Sequence, residues 1–169
     1  MNMRRHIAAL ALTIAGLAGV VTLSAPAQAA SPITVTVSLG GLSVTGTNGS
    51  DLITLAEGAG GVIKVTGAGV TSSDTDCQPI SGGVSCKNAS TIMVNMRQGD
   101  DIVNNDTVNR FTEIFGSAGN DTLWGGSGRD ILDGGTGNDF LNGRGGNDTT
   151  DGGADTDTCT GETEHNCEF

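Results

Sequence analysis

Five aspartates recur nine residues apart near the C-terminus: Asp121, Asp130, Asp139, Asp148 and Asp157. Each sits at the sixth place of a nine-residue unit. The units GSAGNDTLW, GGSGRDILD, GGTGNDFLN, GRGGNDTTD and GGADTDTCT run without a gap from Gly116 to Thr160. Carboxylates repeated in phase, with little else that is reactive, point to oxygen ligation of a hard cation rather than to nucleophilic chemistry. Zinc would need clustered Cys or His, which the units do not supply. Magnesium demands strict octahedral geometry and keeps its waters, so calcium is the better fit.

The rest of each unit has to position those carboxylates. Position 1 is Gly116, Gly125, Gly134, Gly143 and Gly152, and position 4 is Gly119, Gly128, Gly137, Gly146 and then Asp155. Such glycines permit backbone angles closed to other residues, so the first six positions can coil tightly. Position 8 is Leu123, Leu132, Leu141, Thr150 and Cys159, an inward place in a short strand. Two units then make one coil, and residues 18 apart share an edge. This arithmetic expects Asp121, Asp139 and Asp157 on one edge and Asp130 and Asp148 on the other. A cation held between stacked turns gives three sandwiches, 121/139, 130/148 and 139/157. The metal-site candidates are therefore the five aspartates with Gly116, Gly119, Gly125, Gly128, Gly134, Gly137 and Gly143. Thr150 and Asp155 depart from the pattern, which makes 139/157 the weakest of the three. Composition alone would also suit a disordered Gly/Asp tract. The constant Asp phase and the leucines in step argue for folding.

The motif resembles the calcium-binding nonapeptide of hemolysin-type RTX proteins, G-G-x-G-x-D-x-U-x with U apolar. The resemblance covers about a quarter of the chain. It implies an all-β fold, a right-handed parallel β-roll or β-solenoid, and Ca2+ as the cofactor. It also implies a folding switch, disordered where calcium is scarce and ordered where it is plentiful.

The N-terminus reads as an export signal. Arg4 and Arg5 precede an apolar run from Ile7 to Leu23, and Ala27-Gln28-Ala29 offers a cleavage site. The expected division is 1–29 signal peptide, 30–115 irregular β region with degenerate repeats, 116–160 nonapeptide β-roll, and 161–169 C-terminal cap. All 19 acidic residues but only six of the eight basic ones lie beyond residue 29. So acidic a chain excludes nucleic acid as a partner, because phosphate binding needs the opposite sign. No apolar segment beyond the signal suits membrane insertion. The expected partners are calcium ions, with a cell-surface or extracellular polymer as a further candidate, and the expected location is extracellular.

Four cysteines suit an oxidising compartment. The local pairing, Cys77 with Cys86 and Cys159 with Cys167, is preferred among the three possible because each pair flanks a short turn-rich loop. Degenerate units appear at 46–54, with Gly46, Gly49, Asp51 and Ile53, and at 96–104, with Gly99, Asp101 and Val103. A partner for Asp51 18 residues on would fall at Gly69, so that copy is expected to shape a turn without a full site. Asp101/Asp121 is a further candidate site. Residues 71–90 read as a surface excursion tied by Cys77 and Cys86. One solenoid from residue 31 onward is preferred to a separate N-terminal β-domain.

Catalysis finds little to work with. His165 is the one histidine beyond the signal, and no His-Glu-x-x-His or nucleophile elbow is present. The expectation is a structural or adhesive calcium-binding protein that is not an enzyme. The alternatives are a small solenoid enzyme acting on polysaccharide and a calcium-dependent interaction module.

Overall fold

The computed structural model describes residues 31–168, so the expected signal peptide lies outside the described residues. Among the described residues fifteen strands build two sheets. The first contains β1 (Thr34–Ser38), β2 (Gly41–Thr45), β7 (Thr91–Asn95), β9 (Thr112–Ala118), β11 (Asp130–Thr136), β13 (Thr149–Ala154) and β15 (Thr163–His165), in that order. The second runs β14 (Thr158–Thr160), β12 (Phe140–Asn142), β10 (Thr122–Trp124), β8 (Ile102–Asn105), β3 (Leu52–Glu57), β4 (Ile63–Gly67), β6 (Gly83–Cys86) and β5 (Cys77–Ile80). From β7 onward the chain alternates between the sheets, and each strand pairs in parallel with the one a full coil away. This is a β-solenoid of about four turns.

Strand alternation follows the side chains. In β9 and β11 alternate residues are buried as far as Gly116 and Gly134, and glycines provide the tight turns between strands. Two aliphatic columns meet in the interior. One stacks Val44, Val94, Ile114, Leu132 and Thr150; the other stacks Ile53, Val103, Leu123, Leu141 and Cys159. All ten are buried. A narrow solenoid can thus bury a continuous core with few aromatics. A single core cluster runs from Ile33 to Cys159.

The N-terminal half departs from the simple coil. β1 folds back antiparallel on β2, and β4, β6 and β5 continue the second sheet as antiparallel strands beyond β3. β3 and β4 therefore form a hairpin arm rather than another coil. The excursion at 71–90 is itself partly sheet, with Cys77, Val84 and Cys86 buried. The antiparallel strands cover the solenoid end, where an open parallel edge would invite pairing with another chain. Both disulfides are the local ones, Cys77–Cys86 and Cys159–Cys167.

Candidate metal centre

The turns stack along two edges. On one edge lie the turns that lead into β3, β8, β10, β12 and β14, with Asp51, Asp101, Asp121, Asp139 and Asp157 in the equivalent place. On the other, Asp130 opens β11 and Asp148 immediately precedes β13. The five repeat aspartates and Asp101 are all buried. One oxygen of each stacked carboxylate accepts from the backbone N–H of the preceding aspartate. Asp51 N–H donates to Asp101 Oδ1 at 2.7 Å, Asp101 to Asp121 at 2.8 Å, Asp121 to Asp139 at 2.7 Å and Asp139 to Asp157 at 2.8 Å. On the second edge Asp130 N–H donates to Asp148 Oδ1 at 2.9 Å. The 18-residue arithmetic holds inside the repeats. Outside them the intervals are 20 residues for Asp101/Asp121 and 50 for Asp51/Asp101. The partner of Asp51 is thus Asp101, reached after the hairpin arm, and the position at Gly69 plays no part.

The second carboxylate oxygen behaves differently. Asp101, Asp121, Asp139, Asp148 and Asp157 each keep Oδ2 buried without a hydrogen-bond partner among the described residues, as does Asp130 with Oδ1. Burying an unpartnered carboxylate oxygen is costly. Backbone shape separates two kinds of turn. Where Oδ2 is free, positions 2 and 4 are left-handed: Ser117 and Gly119 have φ of 81° and 131°, Arg97 and Gly99 76° and 117°. In the turns of Asp51 and Asp130 these positions lie outside the left-handed region. There the position-2 N–H turns inward instead. Thr47 donates to Asp51 Oδ2 at 2.7 Å, and Gly126 to Asp130 Oδ2 at 2.6 Å.

Position 1 explains the need for glycine there. A Cβ on Gly134 would collide with Asp139 Oδ2 and come within 2.7 Å of the Gly152 carbonyl. Gly116 repeats the arrangement with Asp121 Oδ2 and the Gly134 carbonyl, and Gly125 with Asp130 Oδ2 and the Gly143 carbonyl. Oxygens from two successive coils therefore converge beside a bare Cα. Among the described residues no three acidic, His or Cys side chains come together, so a cation here must complete its shell from turn carbonyls. That suits calcium, which takes six to eight oxygens in flexible geometry.

Electrostatics leads to the same place. Burial pushes Asp101 up to about 7, and Asp130 and Asp139 up to about 6. Burial also raises Asp121 and Asp148. Like-charged neighbours along each ladder add to the effect, and backbone N–H donors partly oppose it. The one ion pair among the described residues, Arg110 with Glu57 at 2.8 Å, lies away from these carboxylates. Among the described residues no basic side chain pairs with them. The donor set, the unpartnered oxygens and the uncompensated charge fit a divalent hard cation.

Several residues outside the expected set join the edges. Glu162 accepts from Asp148 N–H at 2.7 Å, and Glu168 from Asp157 N–H at 2.9 Å, each closing a ladder at the C-terminal end. A second ladder runs along position 5 in the opposite sense. Asp100 accepts from Asn120 N–H at 2.8 Å, Asn120 from Asn138 at 2.9 Å and Asn138 from Thr156 at 3.1 Å. The polar residue before each aspartate was the available signal for this ladder. Asp74, by contrast, pins β1 by accepting from Val37 N–H at 2.9 Å and has no place on either edge.

Comparison with known proteins agrees with the site. Residues 113–141 and 124–159 match the family model of the RTX calcium-binding nonapeptide repeat, in four copies. No curated protein and no solved structure matches the chain. The stacked turns and this match identify residues 113–159 as RTX calcium-binding nonapeptide repeats, carried by a calcium-binding β-roll protein.

Proposed function

We propose that the protein is exported and that its roll orders around calcium held between stacked turns, in a structural or adhesive role outside the cell. The observation that carries this reading is the run of buried carboxylate oxygens, in register, which among the described residues have neither a hydrogen-bond partner nor an ion pair with a basic side chain. The sites are Asp121/Asp139, Asp139/Asp157 and Asp130/Asp148, with Gly116, Gly119, Gly125, Gly128, Gly134, Gly137 and Gly143 shaping the turns. When bound, calcium supplies the positive charge that the edges lack. Once the turns are stacked, the residues in turn fix the carboxylates through the N–H ladders. The 130/148 space differs from the others, because the Gly126 N–H competes for Asp130 Oδ2. It is therefore the weakest of the three, rather than 139/157.

Export is supported by the N-terminal basic, apolar and small-residue pattern and by two disulfides. The divisions 30–115, 116–160 and 161–169 remain the working boundaries. RTX repeats are generally non-enzymatic, and we assign no catalytic role to His165, which stands exposed on β15. Among the described residues no helix is long and apolar enough to cross a membrane.

An adhesive role would use the outer face of the second sheet. Trp124 and Phe140 meet edge to face at 6.3 Å there, and the Arg144 guanidinium lies 5.8 Å over the Trp124 ring. Equilibrium dialysis against calcium and magnesium tests the metal reading, which requires calcium uptake that excess magnesium does not abolish. Pull-down on cell-wall glycans, with calcium or chelator, tests adhesion. Retention that needs calcium and is lost in Trp124→Ala supports it, and indifference to both leaves a scaffold.

A further inference from the structure

The tail after Thr160 contains no nine-residue unit, yet it ends one edge with the oxygens of a repeat turn. At Gly116 and Gly134, the turn's own Asp Oδ2 and the position-1 carbonyl of the next coil converge beside the bare Cα. At Gly152 the same place is bounded by Asp157 Oδ2, at 2.6 Å from an added Cβ, and by the carbonyl of Asn166. Position 6 is reproduced as well. Asp157 N–H donates to Glu168 Oε2 at 2.9 Å, as Asp139 N–H does to Asp157 Oδ1 at 2.8 Å. Glu168 N–H returns to the Asp157 carbonyl at 2.9 Å, matching the bond from Thr158 to the Asp139 carbonyl. The turn that would separate the two places is missing. The extra methylene of Glu168 spans the gap instead. Asp157 is fully buried, and its Oδ2 has no partner among the described residues.

We propose an additional calcium site at the C-terminal end of this edge, formed by Asp157, the Asn166 carbonyl and Glu168. Two of its three ligands lie beyond the repeat sequence, and it rests on the reading that calcium is held between stacked turns. The Cys159–Cys167 disulfide holds it together, since Cys167 stands between the two tail ligands and Cys159 is anchored in the core. Opening that bond releases Asn166 and Glu168 from Asp157, so occupancy depends on oxidation. The other edge ends differently. Glu162 takes the Asp148 N–H, but the three nearest atoms to an added Cβ on Gly143 all belong to Asp148, with no carbonyl from a following coil among them. Glu162 is a cap only.

Calorimetric titration of the oxidised protein with calcium, on wild type, Glu168→Gln and Glu162→Gln, tests the site. Glutamine keeps an acceptor for the Asp157 N–H and removes the charge, so a capping role alone would survive it. The expected result is one calcium fewer for Glu168→Gln, or one site weakened at least about tenfold, with Glu162→Gln unchanged. Reductant should produce the same loss in wild type and add nothing in Glu168→Gln. That arm decides the matter if Glu168→Gln does not fold, since reduced wild type with undiminished calcium overturns the site. Unchanged binding in Glu168→Gln, while Asp139→Asn loses calcium, overturns this site and leaves the repeat sites standing. No calcium binding by wild type overturns both.

Discussion

At the scale of single residues, the buried carboxylates carry an electrostatic cost of the fold. Asp101, Asp130 and Asp139 have folded-state pKa values raised from about 3.8 to about 7, 6 and 6. A raised carboxylate pKa means that the folded state binds protons more tightly than the unfolded chain. Stability without calcium should therefore be highest below the unfolded pKa and fall as pH rises from about 4 to about 7. Thermal melts in chelator test the sign: Tm should drop from pH 5 to pH 8, and a rise would contradict the account. Asp139→Asn should then act in opposite directions in two solutions. In chelator at pH 7.5 it removes a buried charge and keeps an acceptor for the Asp121 N–H, so Tm should rise. In saturating calcium it damages the spaces above and below, so Tm should fall below wild type.

At the scale of turns and strands, the account rests on which backbone places tolerate an atom. Gly134→Ala puts a methyl into the convergence of Asp139 Oδ2 and the Gly152 carbonyl, and should cost about 1–3 kcal/mol by chemical denaturation. Gly145→Ala, in a turn of the other edge with nothing within 4 Å, should be close to neutral. Equal effects would mean that the convergence does not shape the turns. Thr150 interrupts an aliphatic column with a buried hydroxyl that has no partner among the described residues. Thr150→Val should stabilise by about 1 kcal/mol, read as a shift in denaturation midpoint. These elements were largely legible in the sequence, because a nine-residue period leaves the register of a stacked coil little choice. The stacking of Asp101 with Asp121 was harder to read. Two extra residues between the units shift the interval to 20, and the turn ahead of β9 absorbs them. Asp51 was harder still, since a hairpin arm no periodicity announces separates it from its partner. Glu162 and Glu168 escaped notice for a related reason: a shortened last coil brings them to ladder positions that no repeat spacing marks.

At the scale of the whole molecule, the two ends differ. The N-terminal end is closed by antiparallel strands and a core of valine and isoleucine, and contains its own disulfide. The C-terminal coils have a thinner interior and nearly all the uncompensated carboxylates. The first half should thus remain ordered without metal, while the repeats need their charge neutralised before they stack. The most direct test is far-UV circular dichroism titrated with calcium, then chelator, with magnesium in parallel. The account predicts a substantial β signal in chelator from the N-terminal half. A further cooperative, reversible gain should follow at roughly 10⁻⁴–10⁻³ M calcium, and magnesium should not reproduce it. A spectrum that ignores calcium throughout, in a protein that takes up none, would contradict the central claim and leave the roll a metal-free scaffold.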